Sequence, residues 1–240
     1  MSAFGGPNII TDGLVLSLDA GNVKSYPGSG TTWYDKSGNG NNGTLTNGPT
    51  FSNGSIVFDG VDDYVNLPSS FKFSDSNLTL NVCFKTNTNS NSYQDLIIFS
   101  DPLQNNILGL LKNRSGLRNG SVYAVLYENG IGSYITSSLS GDNLVSAGIT
   151  NYTTVFEKIG GVYNIFLYRN GVLDGSTVVS SLNSYNMNNW TNYFVRIGSG
   201  GPTYPEILNG NIYCSYVYNR ALTASEVLQN YNATKTRFGL

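Results

Sequence analysis

Apolar and polar residues alternate along most of this chain, and the alternation predicts many short β-strands. In residues 14–18 every second residue is leucine, and residues 78–85 (LTLNVCFK) alternate in the same way. A period of two places the apolar side chains on one face of a strand. Residues 163–169 and 211–219 are apolar on both faces. We expect that pattern where one face packs on a second sheet and the other is covered or binds something.

Turn residues separate the strands, and one capping motif predicts a helix. Asn129-Gly130 and Asn170-Gly171 each lie between two strand patterns. An Asn-Gly pair accepts the positive φ values of a type I′ turn, so two hairpins are predicted. Thr223-Ala-Ser-Glu226 is a capping box, which predicts a short helix over residues 224–232. This is the one helix that we expect, and residues 144–150 are predicted to be a strand.

The composition fits a single all-β domain. The chain has 240 residues, of which 40% are hydrophobic and 12% charged, and neither a linker nor a repeat interrupts it. We predict an extended arm over residues 1–12 and one domain over residues 13–240, built as an antiparallel sandwich of two sheets. The arm is interpreted either as a frayed end or as a tie to a neighbouring subunit. Trp33 is the expected anchor of the long polar loop in residues 20–49.

Charge and hydropathy narrow the classes of partner. The net charge is −2, and the sequence has no basic patch, so we expect no nucleic-acid partner. No run of 18 apolar residues is present, which predicts no membrane span. The first residues lack the charged and apolar regions of a secretory signal. Cys83 and Cys214 lie in apolar strand patterns and are predicted to be buried thiols.

Several kinds of catalytic chemistry lack their residues. The sequence contains no histidine, which excludes Ser-His-Asp and Cys-His nucleophiles and zinc sites that use histidine. Phosphate-binding glycine loops are also missing. Glycoside hydrolysis needs only two carboxylates, but the glutamates are scattered. We therefore predict that the protein is not an enzyme.

An acidic turn lies within residues 55–67 (SIVFDGVDDYVNL), between two strand patterns. Asp59, Asp62 and Asp63 place three carboxylates in five residues. One interpretation is a site for a hard cation or for sugar hydroxyls, because Ca²⁺ prefers several oxygen ligands from a flexible loop. The other is a solvated turn whose aspartates accept hydrogen bonds from nearby amides. The spacing favours the solvated turn, since the aspartates do not form a complete calcium-loop motif.

Four segments carry a family resemblance, in order along the chain. They are FDGVDDYV (58–65), DKSGNGNNG (35–43), YNIFLYRNGV (163–172) and NGNIYCSYVYNRALTASEV (209–227). They resemble the laminin G-like, concanavalin A-like lectin/glucanase domains. The resemblance implies an all-β, antiparallel two-sheet jelly roll with one short C-terminal helix. Glucanases with this fold carry a Glu-x-Asp-x-x-Glu strand motif, and this sequence has none.

The same resemblance implies a structural calcium ion near the loop that holds Asp35 and Asn39. We take Asp35, Asn39 and Asp62 as its candidate ligands. In many relatives the closing strand supplies a further aspartate, at a position that is Tyr213 here. The expected site is therefore weaker than in those relatives. No other cofactor is expected.

For function, two segments resemble laminin G-like modules of structural proteins in tailed, marine-type bacteriophages. They are the opening segment, residues 13–49, and the closing segment, residues 218–239. This implies a virion protein, such as a capsid decoration or a tail- or fibre-associated module. It would be made in the host cytoplasm and would contact other virion proteins, including copies of itself. The hydrophobic C-terminal tail either packs back on the domain or docks elsewhere.

The alternative function is a stand-alone, lectin-like carbohydrate-binding module, and host or environmental glycans are compatible with both functions. Aromatic residues in loops are its candidate glycan contacts: Tyr34, Trp190, Tyr193 and Tyr204. Tyrosine and tryptophan rings can stack on sugars, although each ring can equally be the anchor of its loop. A glucanase-like hydrolase is the least favoured hypothesis.

Overall fold

The computed structural model describes residues 7–71, 77–87, 93–112, 121–128, 131–136, 142–180, 193–201, 203 and 205–240. Within these ranges the chain forms sixteen strands and two helices. Sheet A contains β1 (Leu14–Asp19), β4 (Thr50–Ser52), β5 (Ser55–Asp59), β7 (Leu78–Thr86), β12 (Thr150–Ile159), β13 (Val162–Arg169), β14 (Val172–Val179) and β16 (Asn209–Tyr218). Sheet B contains β2 (Thr32–Trp33), β3 (Gly43–Thr46), β6 (Tyr64–Asn66), β8 (Gln94–Ser100), β9 (Ile107–Lys112), β10 (Val122–Glu128), β11 (Ile131–Thr136) and β15 (Phe194–Ile197).

The two sheets pack face to face as an antiparallel jelly-roll sandwich, which confirms the predicted fold class. Sheet A has the order β14-β13-β12-β7-β16-β5-β4, and β1 also pairs with β16. Sheet B has the order β11-β10-β9-β8-β15-β6-β3-β2. Neighbours along the chain are therefore often in opposite sheets, which brings distant segments side by side.

The core lies between the sheets and is built from the alternating apolar residues. Leu18 and Phe84 from sheet A meet Val65 and Ile97 from sheet B in one continuous cluster. Trp33 joins this cluster with no exposed surface. It therefore anchors the long polar loop, as predicted. The alternation in the sequence thus corresponds to an inner and an outer face on each sheet.

One predicted hairpin turn has the expected backbone geometry. Asn170 and Gly171 have φ values of 51° and 78°, both in the left-handed region that a type I′ turn requires. They join β13 to β14, whose last paired residues are Arg169 and Val172. Asn129-Gly130 lies outside the described residues, although β10 and β11 pair up to Glu128 and Ile131 on either side of it.

The helices differ in part from the prediction. α2 (Ala224–Phe238) begins at the capping box, as predicted, but continues six residues beyond residue 232. Thr234 and Phe238 are buried in this extension, so packing on the domain stabilises it. The expectation of a single helix and a strand over residues 144–150 was wrong, because Asp142–Ser146 forms the short helix α1, which buries Leu144. None of the described helices is long and apolar enough to cross a membrane.

Candidate functional site

The outer face of sheet A is covered around β16 by the protein itself. Tyr216 and Tyr218 on β16 form a second apolar cluster with Val227 and Phe238 of α2. Leu240 packs against the same cluster, so the hydrophobic tail packs back on the domain, one of its two predicted positions. Cys83 and Cys214 face each other across β7 and β16 within it, and both are buried, as predicted. The part of this face around β16 is therefore closed to a ligand, whereas Leu173 and Val178 on β14 stay exposed.

The described part of the N-terminal arm also lies on this side of the molecule. The Ile10 amide donates to Asn230 Oδ1 of α2 at 2.8 Å, and the Tyr218 hydroxyl donates to the Ile10 carbonyl at 3.0 Å. Gln229 Nε2 donates to the Asn8 carbonyl at 2.9 Å. Residues 7–12 are thus tied to their own domain. Residues 1–6 lie outside the described residues.

The start of α2 is held by a network of polar contacts. Thr223 and Glu226 form the capping box in both directions. Arg220 binds the Glu226 carboxylate with both terminal nitrogens, at 3.0 and 2.6 Å. These bonds, from Arg220 first and from Thr223 as well, lower the pKa of Glu226 to about 2. Glu226 is therefore a structural residue, which leaves it unavailable for catalysis.

The outer face of sheet B has a different character. Near one edge, on β9 and β10, it carries an apolar cluster formed by Leu111, Tyr123 and Val125, all buried. Tyr127 packs against this cluster and is partly exposed. Within the described ranges no helix packs on this cluster. The accessible part of this face lies beyond the cluster, toward β6 and β3, where Asn66 and Thr44 are exposed.

A row of side chains crosses this outer face from β3 to β8. Thr44 lies opposite Asn66, Asn66 opposite Arg196, and Arg196 opposite Ile98. The alternate residues of these strands, such as Val65, point into the core. Thr44 and Asn66 are exposed, whereas Ile98 is buried. The row thus begins with the hydroxyl of Thr44 and the amide of Asn66, continues with the guanidinium of Arg196 and ends with an apolar side chain.

Two aromatic rings hold the guanidinium of Arg196. The Arg196 Cζ atom lies 4.1 Å from the centre of the Tyr64 ring and 5.0 Å from that of the Phe194 ring. Both rings are partly exposed. Burial lowers the pKa of Arg196, and Tyr64 opposes this shift. Cation–π contact of this kind is worth about 0.5–2 kcal/mol, and it fixes the guanidinium between the rings.

The predicted calcium ligands Asp35 and Asn39 are used by the protein. Asp35 Oδ1 accepts hydrogen bonds from the amides of Ser17 and Ser37, both at 2.8 Å. Asp35 Oδ2 accepts from Ser37 Oγ at 2.7 Å and from the Asn41 amide at 3.0 Å. Asn39 turns its amide nitrogen to the Leu14 carbonyl at 3.2 Å. A carboxylate has about four lone-pair positions, so Asp35 does not fit a cation ligand in this arrangement.

Asp62 belongs to the acidic turn and not to the Asp35 loop. Ligand oxygens of Asp59, Asp62 and Asp63 lie within 4.8 Å of one another. Asp63 Oδ2 accepts from the Asp59 amide at 3.0 Å, and Asp59 Oδ1 from the Val61 amide at 2.8 Å. Burial, with some repulsion from Asp59 and Asp62, raises the pKa of Asp63. The turn has the internal hydrogen bonds of the solvated-turn interpretation, and a calcium ion here stays a prediction.

Two of the predicted glycan contacts, Tyr34 and Tyr193, lie within the described residues. Tyr34 is 44% exposed in the loop between β2 and β3. Tyr193 packs against the main core, and its hydroxyl donates to the Phe71 carbonyl at 2.8 Å. Burial raises the pKa of Tyr193 to about 12. Its geometry is that of an anchor. Trp190 and Tyr204 lie outside the described residues.

A groove of about 1080 Å³ lies between the arm, β1 and the second half of α2. Its polar lining includes the ion pair of Arg237 with Asp19, at 2.6 Å. Burial raises the pKa of Asp19, and Arg237 opposes this shift. Asp19 also accepts from the Gly21 amide at 3.1 Å. These charges already satisfy each other, so the groove offers a ligand less than the Arg196 region does.

One acidic pair, the buried Asp95 and the half-buried Glu206, is relevant to the glucanase hypothesis. Asp95 has no exposed surface, and its amide donates to the Glu206 carbonyl at 2.9 Å. Burial raises the pKa of Asp95 well above its ordinary value, and the Glu206 carboxyl adds to the effect. Because a substrate cannot reach Asp95 in this state, the pair lacks the access that glycoside hydrolysis requires.

Sequence reasoning missed Tyr64, Phe194 and Arg196. The signal for two of them was present in β15, where Phe194 and Arg196 alternate with the core residues Val195 and Ile197. That pattern predicts an outer face with one ring and one charge. The position of Tyr64 beside them depends on the pairing of β15 with β6, which periodicity does not reveal.

Comparisons with solved structures support the sandwich fold. Domain 4 of AbnA, an extracellular arabinanase from Geobacillus stearothermophilus in complex with arabinotriose, has a TM-score of 0.62 and 17% identity, covering 91% of this chain and 98% of that one. The CBM40 of the Ruminococcus gnavus IT-sialidase, bound to α2,3-sialyllactose, has a TM-score of 0.57 and 15% identity, covering 75% and 98%. The receptor-binding domain of botulinum neurotoxin type G has a TM-score of 0.63 and 16% identity, covering 92% and 51%.

At these identities the likeness shows the fold alone. None of the curated protein sequences is similar enough to this chain to count as a match. The model of one protein family does match, over residues 59–228, which is more than two thirds of the 240 residues. Its extent, and the two-sheet sandwich that it predicts, show that this chain belongs to the concanavalin A-like lectin/glucanases superfamily.

Proposed function

We propose that this protein is a lectin-like module that binds carbohydrate with the outer face of sheet B. The observation that carries the proposal is the group formed by Tyr64, Phe194 and Arg196, with Asn66 beside it. The two rings are partly exposed, and Asn66 is exposed. Binding sites for small ligands combine apolar surface with a few oriented polar groups in this way.

The chemistry of sugars fits this surface. One face of a pyranose ring carries mostly C–H bonds and can stack on an aromatic ring, while its hydroxyls need donors and acceptors. Tyr64 and Phe194 offer the rings. Thr44 and Asn66 offer a hydroxyl and an amide on the adjacent strands. On the outer face of sheet A, α2 and the arm cover the part around β16, and the exposed apolar side chains of β14, which are Val172, Leu173 and Val178, are aliphatic.

The comparisons support the class of function and leave the ligand open. Two of the similar structures contain an oligosaccharide, arabinotriose in one and α2,3-sialyllactose in the other. The third is a receptor-binding domain. Their names describe bound oligosaccharides and receptor binding, which supports a binding function for this chain. For this chain, a glycan partner follows as a proposal from the shared fold and the surface described above.

The virion function stays a prediction from resemblance. The three similar structures named above are a bacterial arabinanase domain, a bacterial sialidase module and a neurotoxin domain, so they add no support for a capsid, tail or fibre location. Glycan binding is compatible with such a location. Glycan binding does not depend on a virion location.

Binding to an array of glycans, followed by isothermal titration with the best ligand, tests the proposal. We expect saturable binding that falls about tenfold or more in Tyr64→Ala, since an aromatic contact is worth about 0.5–1.5 kcal/mol beyond its buried area. Tyr64→Phe keeps the ring and should bind nearly as well as the wild type. Tyr34→Ala is the matched control, because Tyr34 is an exposed tyrosine in a loop outside the group.

Loss of binding in Tyr34→Ala but not in Tyr64→Ala would move the site to the loop aromatics that the sequence predicted. Absence of binding to every glycan on the array would overturn the proposed function itself. Circular dichroism of each variant would show that a loss of binding is not a loss of fold.

A further inference from the structure

Arg196 differs from the other arginines that the structure describes. Arg169, Arg220 and Arg237 each form an ion pair with a carboxylate, at 3.9 Å to Asp174, 2.6 Å to Glu226 and 2.6 Å to Asp19. Within the described part of the chain, Arg196 has no such ion pair. The acidic turn ends one residue before Tyr64, yet none of its carboxylates is within ion-pair distance of the guanidinium. One arginine therefore carries an uncompensated charge.

The surroundings of Arg196 raise the free energy of its charged state and hold the guanidinium in one orientation. Its Nε atom is buried and has no hydrogen-bond acceptor. A partly desolvated cation without a counter-charge destabilises the fold unless something compensates for it. Stacking on Tyr64 and Phe194 compensates in part and holds the guanidinium plane in place. The head group is thus preorganised for an anion.

The geometry of the guanidinium indicates which anion. Its donors form a rigid planar fork that matches a carboxylate with two parallel hydrogen bonds. The polar neighbours, Asn66 and Thr44, are uncharged, which suits the hydroxyls of the same sugar. A polyphosphate or nucleic acid would need a track of several cations, and the row contains one. The chain as a whole has a net charge of −2, so the attraction is local.

We propose that the outer face of sheet B selects acidic sugars, with the carboxylate of a sialic or uronic acid bound by Arg196 between the rings of Tyr64 and Phe194. This inference names the ligand class of the proposed function and rests on it. The parts of Tyr64 and Phe194 that stay exposed beside the guanidinium would contact the ring of the sugar, and Arg196 would distinguish it from a neutral sugar of the same shape.

Titration calorimetry with two matched ligand pairs tests the inference. The first pair is α2,3-sialyllactose and lactose, and the second is trigalacturonic acid and its methyl ester. At least one acidic member should bind about tenfold or more tightly than its neutral partner. Arg196→Gln should abolish that preference, and Arg196→Lys should keep part of it, because lysine retains the charge but lacks the planar fork. Tyr64→Ala should weaken both members of a pair.

The outcomes separate this inference from the proposed function. Equal binding of acidic and neutral members, lost in Tyr64→Ala, would overturn the selection by Arg196 and leave the carbohydrate-binding function intact. An acidic preference that survives in Arg196→Gln, or binding to sulfated sugars only, would also overturn it. If no sugar binds the folded wild-type protein at millimolar concentration, both proposals fail.

Discussion

The carboxylate of Asp35 stabilises the long loop after β1, and Asp35→Asn tests that role. Asp35 is 8% exposed and accepts four hydrogen bonds, one of them from the Ser17 amide in β1. The other three come from Ser37 and Asn41. The side chain therefore ties the loop to the edge of sheet A and closes the loop on itself.

The expected fall in the free energy of unfolding depends on how many hydrogen bonds the asparagine side chain can still accept. Asparagine keeps one oxygen, so it can accept two of the four bonds, and its amide group faces the donors of the other two. Each hydrogen bond to a charged group contributes about 1.5–3 kcal/mol. We expect the free energy of unfolding to fall by about 3 kcal/mol, which corresponds to about 6–12 °C in Tm for a chain of this size.

Urea unfolding followed by tryptophan fluorescence, with calorimetry as the second probe, measures this loss. Trp33 is two residues from Asp35 and fully buried, so its emission reports on the loop. Asp62→Asn is the matched control, because Asp62 is exposed and its carboxylate should contribute within about 0.5 kcal/mol. Both variants should be measured in calcium and in a chelator.

The loss in Asp35→Asn should be the same in both solutions, because the protein's own donors use the carboxylate. A loss seen only with calcium present would refute this reasoning and would restore Asp35 as a ligand. A change below about 0.5 kcal/mol in both solutions would also refute it, since the two lost bonds to a buried charge should contribute more than that.

Three further predictions concern the covered side of sheet A. The pKa of Glu226 is about 2, below its ordinary 4.5, so the stability from its bonds to Arg220 is complete above about pH 4.5 and disappears as the pH falls through 2. In calorimetry, the Tm of Glu226→Gln should therefore fall less steeply at acid pH than the Tm of the wild type. Identical slopes would contradict this. Thr79 Oγ1 donates to the Arg220 carbonyl at 2.9 Å and accepts from the Leu222 amide at 3.0 Å, so Thr79→Val should lose about 1–3 kcal/mol in urea unfolding while Thr79→Ser loses less. Because Cys83 and Cys214 are buried, a thiol reagent should modify them only after denaturation, and rapid modification of the native protein would show that α2 opens readily.

The sequence predicted strands best where alternation was regular. β7 and β16 were found close to their predicted bounds, because one face of each packs on the core and the other on α2. The capping box at Thr223 was equally informative, since it depends on residues three apart. Local patterns of this kind carry their own geometry.

Predictions failed where distant contacts decide the structure. Thr234 and Thr236 have weak helix propensity, yet α2 continues through them because Thr234 and Phe238 are buried against sheet A. The apolar run at Leu144 was too short to distinguish a strand from a helix, and it forms α1. Burial overrides propensity in both segments.

The candidate site was less predictable than the fold. Loop aromatics such as Tyr34 were chosen because loops often carry function, but the group around Arg196 lies on a sheet. It joins β6 to β15, whose paired residues Asn66 and Arg196 are 130 positions apart in the chain. Such a contact follows from topology, and a single sequence does not specify it.

The arm and α2 share one side of the sandwich, which determines how the module would be displayed. Asn8 is bound to α2, and Leu240 packs on the same apolar cluster, so anything joined near residue 7 or residue 240 leaves from the side opposite the row of Arg196. Copies attached to a common support through these positions would all point their sugar-facing sides outward. Several weak contacts could then engage one branched polymer together, and avidity would exceed the affinity of any single copy by orders of magnitude.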